Sequence, residues 1–190
     1  MRFYFQLKSY ITEDDIEQAL LKKLKAAPFN YDVILCDPSM EAKDDINDGT
    51  GRTSTEQCVL PKILYESLKR INPKISDENI QKTVKELSKN YTGTDIVQTN
   101  YLFFKRIREK IRDTEKRNEK EGFDFISLVD FDNPENNTFT AVSQMWIKGT
   151  RKGSDAYRRP DVLIFVNGLP FVFIELKNET VKIQEAYTKN

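Results

Sequence analysis

The chain is 190 residues long, with 30 Lys+Arg against 30 Asp+Glu and a formal net charge of zero. That balance argues against autonomous tight DNA binding, which usually draws on a basic surface to neutralise phosphates, but leaves open a module to which nucleic acid is delivered. At 38% hydrophobic and 32% charged residues, the chain suits one domain with a real core and much solvated helix surface.

The opening Met1-Arg2-Phe3-Tyr4-Phe5-Gln6 is broken by polar residues too early for a secretory leader, and the alternation Phe3, Phe5, Leu7 predicts a short strand. Thr12 reads as the N-cap of a helix over about 13–26, with acids in its first turn and an apolar stripe of Ile16, Ala19, Leu20 and Leu24. Phe29 to Cys36 predicts a second short strand. The polar stretch from Asp37 to Thr55 predicts a mobile loop. Asp44, Asp48 and Gly49 within it fail as a calcium loop, because Ile46 occupies a ligand position and Thr55 stands where a bidentate Glu is needed. Helices are expected at about 60–71, 77–89 and 95–119. The last is apolar at Ile96, Phe103, Phe104, Ile107 and Ile111, and ends in a solvated charge run from Arg112 to Glu121.

From Gly122 the pattern turns to strands, Phe125–Phe131 and Phe139–Ile147, around the turn at 133–137. Val162–Val166 and Phe171–Lys177 flank Asn167-Gly168, the strongest hairpin signal in the chain. Both are apolar at nearly every position, which predicts strands covered on both faces by helices. A final helix begins near Thr180 and the chain stops inside it, which reads as a fragment of a longer protein. The expected fold is α/β: a mixed, largely antiparallel sheet flanked by helices. The organisation is a single domain over 1–190, with a helical insertion over about 56–120 and a catalytic sheet over about 122–178. No stretch reaches the 18 apolar residues of a membrane span. Cys36 and Cys58 form no CxxC pair, which argues against a disulfide framework or zinc site and suits a reduced, cytoplasmic protein.

Histidine is absent, so hydrolytic chemistry must rest on carboxylates and lysine. Asp161 opens an apolar strand, while Glu175 and Lys177, two apart on the next, share a face. Such groups at the edge of an apolar hairpin are costly unless paired, hydrated or metal-bound. Two carboxylates and the backbone carbonyl of Leu176 make a hard oxygen set suited to Mg²⁺, with Lys177 placed to orient a water and offset charge on a phosphorane. Register makes a sharp demand. A strict two-residue turn at Asn167-Gly168 pairs Asp161 with Ile174 and leaves it on the face opposite Glu175. A bulge or wider loop near Leu169-Pro170, where proline has no N–H for the ladder, would bring the carboxylates together.

The spacing of Pro160-Asp161 and Glu175-Leu176-Lys177 resembles the PD-(D/E)xK nuclease superfamily. More closely, Arg158 through Pro170 and Ile174 through Asn178, with Val129 through Phe139, Val142, Gln144 and the opening Thr12-Glu13-Asp14-Asp15-Ile16-Glu17, resemble the N-terminal nuclease domain of type I restriction R subunits (HsdR). The resemblance implies a site-specific endonuclease that cuts double-stranded DNA, with Asp161, Glu175 and Lys177 catalytic and Glu17 as an additional acid facing the metal. It implies ATP-driven translocase domains beyond this chain, and methylation and specificity subunits as partners. The family's Gln and Tyr stand four apart on the following helix, whereas Gln184 and Tyr187 are three apart, so that motif is not carried over.

The segment before Asp161 holds Lys148, Arg151, Lys152, Arg158 and Arg159 around a lone acid, Asp155, and is expected to be a loop contacting DNA phosphates. Trp146 reads as core or sheet face. Gln144 could orient a water or cap a strand, and both readings stay open. Alternatives for the whole are another PD-(D/E)xK enzyme, RecB-like or of type III restriction, and a non-catalytic DNA-holding or docking module.

Overall fold

The computed structural model describes residues 11–36, 46, 48–89, 95–118, 122–151 and 154–177. The expected first strand, the final helix with Gln184 and Tyr187, Asp44 and Lys152 lie outside them. Helix α1 (Glu13–Lys25) starts at a capping box: Asp15 N donates to Thr12 Oγ1 (3.1 Å), and Thr12 N donates to Asp15 Oδ2 (2.9 Å). Acids in its first turn and lysines in its last complement the helix dipole. The inward face differs from the predicted stripe. Glu17 and Leu21 are buried, Leu20 and Leu24 flank them, and Ala19 points to solvent.

Strand β1 (Asp32–Leu35) follows, shorter than expected. Helix α2 (Pro61–Ile71) has proline in its first turn, where the missing N–H costs nothing. Helix α3 (Asp77–Leu87) is capped by Ser76, which accepts from Asn79 N, and helix α4 (Ile96–Glu109) by Asp95. The expected helix to residue 119 stops ten residues earlier. Lys110 adopts φ 65°, which a helix cannot continue through, and the charge run instead becomes strand β2 (Ile111–Asn118), paired with β3 (Gly122–Ile126). Phe103, Ile107 and Ile111 of the predicted stripe pack on the core, while Phe104 is exposed.

The strand expected to reach Phe131 also ends early. Asn72, at the end of α2, accepts from Ser127 N (2.8 Å) and donates to Ser127 O (2.9 Å), taking the groups a ladder would use. Strand β4 (Phe139–Ser143) breaks at Gln144, whose φ is 55°, rather than running to Ile147. The basic segment expected as a loop is a hairpin of β5 (Ile147–Arg151) and β6 (Ser154–Arg158).

The main sheet has the order β1-β4-β7-β8, where β7 is Val162–Val166 and β8 is Leu169–Ile174. β1 runs parallel to β4, and the other pairs are antiparallel, so the sheet is mixed and helices flank it as expected. Period two along β7 divides the core. Val162 and Ile164 meet Leu21 of α1, whereas Leu163 and Phe165 pack with Leu60, Val142 and Met145 on the other face. A third cluster joins Leu64 and Leu68 of α2 to Ile80, Ile126, Leu128 and Leu169. The prediction of full cover therefore holds for β7 but not β8. At the sheet edge Phe171, Val172 and Phe173 are 43–54% exposed. No helix among the described residues is long and apolar enough to cross a membrane.

Candidate active site

The β7–β8 turn determines where the acids meet. Asn167 and Gly168 both have positive φ, 52° and 80°, as a two-residue type I′ turn requires. Val166 pairs with Leu169 and Phe165 with Pro170, but Ile164 pairs with Val172. Phe171 is the extra residue of a bulge. Val162 consequently faces Ile174, the last pair of the ladder, with Asp161 and Glu175 the next residue on each strand. The sequence demanded this break next to Pro170, and here it is. Glu175, Leu176 and Lys177 lie just past the regular strand.

Asp161 is tied to its neighbours on both sides. Its Oδ2 accepts from Leu176 N at 2.5 Å, and its Oδ1 accepts from Gln144 Nε2 at 3.4 Å. Gln144 Nε2 also donates to Glu17 Oε2 at 2.6 Å, so an acid from α1 joins the group. Lys177 Nζ lies 3.2 Å from Glu175 Oε1 and 3.9 Å from Glu13 Oε2. Asp161, Glu175 and Lys177 are all half-buried, while Glu17 is 6% exposed. Burial pushes the Glu17 carboxyl above its ordinary pKa and the nearby Asp161 charge adds to this, against the hydrogen bond from Gln144.

The donor set is chemically apt for a hard divalent cation: carboxylates from three places in the chain, of which Glu175 is paired with Lys177. Among the described residues, however, no three acidic or other ligand side chains already close into a metal cage. Oxygens of Asp161 and Glu175 are engaged by Leu176 N–H and Lys177 instead.

The basic hairpin is less uniform than its composition. Lys148 is engaged by Asp155 (3.0 Å) and Glu56 (3.6 Å). Arg158 ends β6 opposite Ile147. Arg159 follows, exposed, with its guanidinium 5.1 Å from the centre of the Trp146 ring. Trp146 is thus a platform for an arginine at the site's margin. Arg151 lies on β5, with only its backbone among the described features.

Two groups went unread in the sequence. Gln144 keeps two readings in the sequence, orienting a water or capping a strand, although a polar residue closing an apolar strand before Met145-Trp146 is a usable signal. The second is the part of the 37–55 loop that is described, which is packed rather than loose. Asp48, Thr50, Arg52 and Thr55 are all buried, and Asp48 pairs with Arg52 at 2.7 Å, which also removes it from any calcium role. Arg52 Nη1 donates to the carbonyls of Gln57 and Trp146, both at 3.0 Å. A cleft of about 510 Å³ beside this loop, lined by Ile34, Asp48, Arg52, Lys62 and Glu66 among others, includes none of the site residues.

Comparison with known proteins points the same way. A family model described as the N terminus of the type I restriction enzyme R protein matches residues 10–189. The chain is 34% identical over 182 residues to the type I restriction enzyme HindI endonuclease subunit of Haemophilus influenzae, covering 94% of this chain and 16% of that protein. It is 25% identical over 171 residues to a putative type I restriction enzyme MjaIXP endonuclease subunit of Methanocaldococcus jannaschii, covering 88% of this chain and again 16% of the relative. The chain thus spans about a sixth of the length of these relatives.

Proposed function

Because the chain belongs to the family of type I restriction enzyme R protein N termini, we propose that it is the endonuclease module of such a subunit and hydrolyses DNA phosphodiester bonds with Mg²⁺. The observation that supports this reading is the bulge at Phe171, which puts Val162 opposite Ile174, with Leu176 N–H seating the Asp161 carboxylate just beyond that pair.

In this reading Asp161, Glu175 and the Leu176 carbonyl hold the ion, with Glu17 as a further acid from α1. The bound cation supplies Lewis acidity toward the phosphoryl oxygens and acidifies a water. Lys177 orients the attacking water and offsets charge gathering on the phosphorane, a role for which a half-buried ammonium beside Glu175 is well placed. Arg159 on its Trp146 platform, with Arg151, Lys152 and Arg158, contacts the DNA backbone. Zero net charge is consistent with a module that cuts poorly by itself and receives DNA from a larger assembly. That assembly comprises ATP-driven translocase domains outside these 190 residues and methylation and specificity subunits, acting in the cytoplasm.

The test uses the complete restriction complex. Asp161→Ala abolishes cleavage of unmodified DNA while ATP hydrolysis and DNA binding stay at parental levels. Lys177→Met lowers cleavage by about 10²–10⁴. Cleavage retained in Asp161→Ala sinks the assignment.

A further inference from the structure

We infer that Gln144 is a positioning residue that clamps Glu17 and Asp161 into one cation-facing set, an inference resting on the metal-nuclease reading above. Two carboxylates brought from α1 and the start of β7 repel one another, and something must hold them together. A lysine or arginine would do so by neutralising them, and would then compete with a cation for the same oxygens. The Gln144 amide has two N–H donors and no charge. Its Nε2 spans Glu17 Oε2 at 2.6 Å and Asp161 Oδ1 at 3.4 Å, joining the acids while leaving their charge available.

The backbone around Gln144 fixes that aim. Its φ of 55° turns the chain sharply at the end of β4, and its N–H donates to the Asp161 carbonyl at 3.0 Å. Met145 is wholly buried, and the Trp146 carbonyl accepts from Arg52 Nη1 at 3.0 Å. The residue is held before and after by contacts that do not involve its side chain, so the amide is set in place before any cation arrives. Groups that orient metal-holding carboxylates typically matter by 10–100-fold in affinity.

The experiment is Mn²⁺ titration of the 190-residue chain, following loss of the free-ion paramagnetic resonance signal. Gln144→Met keeps length and removes both donors; Mn²⁺ binding should weaken about 10–100-fold with unchanged circular dichroism. Gln144→Lys covers the case in which Gln144→Met does not fold. It retains donors to both acids, so it folds, yet its ammonium displaces the cation and weakens Mn²⁺ binding by at least the same factor. A residue that only holds the fold together would leave Mn²⁺ binding intact in a Gln144→Met variant whose circular dichroism matches the parent. Parental binding within about twofold in either folded variant overturns the inference alone. If the parent chain binds no Mn²⁺, or its binding survives both Asp161→Ala and Glu175→Ala, the metal reading and this inference fall together.

Discussion

Arg52→Met tests whether the loop behind the site is a buried support. The Arg52 side chain is fully buried against a 7% exposed Asp48, with Nη2 at 2.7 Å from Oδ2. It also donates to Thr50 Oγ1 and to the carbonyls of Gln57 and Trp146, each at 3.0 Å. Methionine keeps much of the apolar stem but strands a buried carboxylate, and removing one partner of such a pair costs about 3–5 kcal/mol. For a chain of this length that is a fall in thermal midpoint of roughly 6–20 °C, at 2–4 °C per kcal/mol. The pH dependence follows from Asp48. Burial alone would raise its pKa, but hydrogen bonds from Thr50 and Arg52 outweigh burial and hold it below its ordinary value. A depressed carboxyl contributes stability above its unfolded pKa and loses it as pH falls through the folded one. The deficit of Arg52→Met is therefore greatest at neutral pH and shrinks on acidification, as Asp48 protonates. Urea unfolding of parent and variant at neutral and acidic pH measures this. A loss under about 1 kcal/mol, the range of exposed pairs, would refute the argument, as would a deficit that grows in acid.

Glu17 has the opposite sign. Its folded pKa is raised, so its protonated form favours folding below its ordinary value of 4.5, and that contribution is lost as pH rises through the folded pKa. Glu17→Gln should thus unfold at higher urea than the metal-free parent at neutral pH, with no gain once the pH falls below 4.5. A gain that persists in acid contradicts the burial account. Gly168→Ala should destabilise by at least about 1–2 kcal/mol from left-handed strain. A Cβ there would sit 2.7 Å from Leu60 O and Leu64 N, which adds to the loss. A neutral effect in thermal unfolding would mean the turn geometry is not as described.

The α1 cap and the Asn167-Gly168 turn were legible because each rests on neighbours close in sequence, and the same closeness singles out Asp161, Glu175 and Lys177 as candidates. Even the bulge could be anticipated, since side-chain alternation and a proline without an N–H left few registers able to join Asp161 and Glu175. The 95–119 helix failed for a different reason. Charges along this stretch suit a solvated helix end equally well, and only pairing with Gly122–Ile126 makes Ile111–Asn118 a strand. Likewise, nothing local told Ala19 from Leu21 as the inward residue of α1, which the sheet beneath it decides.

The sequence by itself determined which chemistry was available: no histidine, paired carboxylates and a lysine at a spacing that a hairpin brings together. Tertiary structure alone decided what supports that chemistry. Gln144 meets Glu17 across 127 positions, and Arg52 reaches Trp146 across 94. Hydrogen bonds over such separations leave no periodic trace in a single chain, because folding, and not spacing, brings their partners within three ångströms or so.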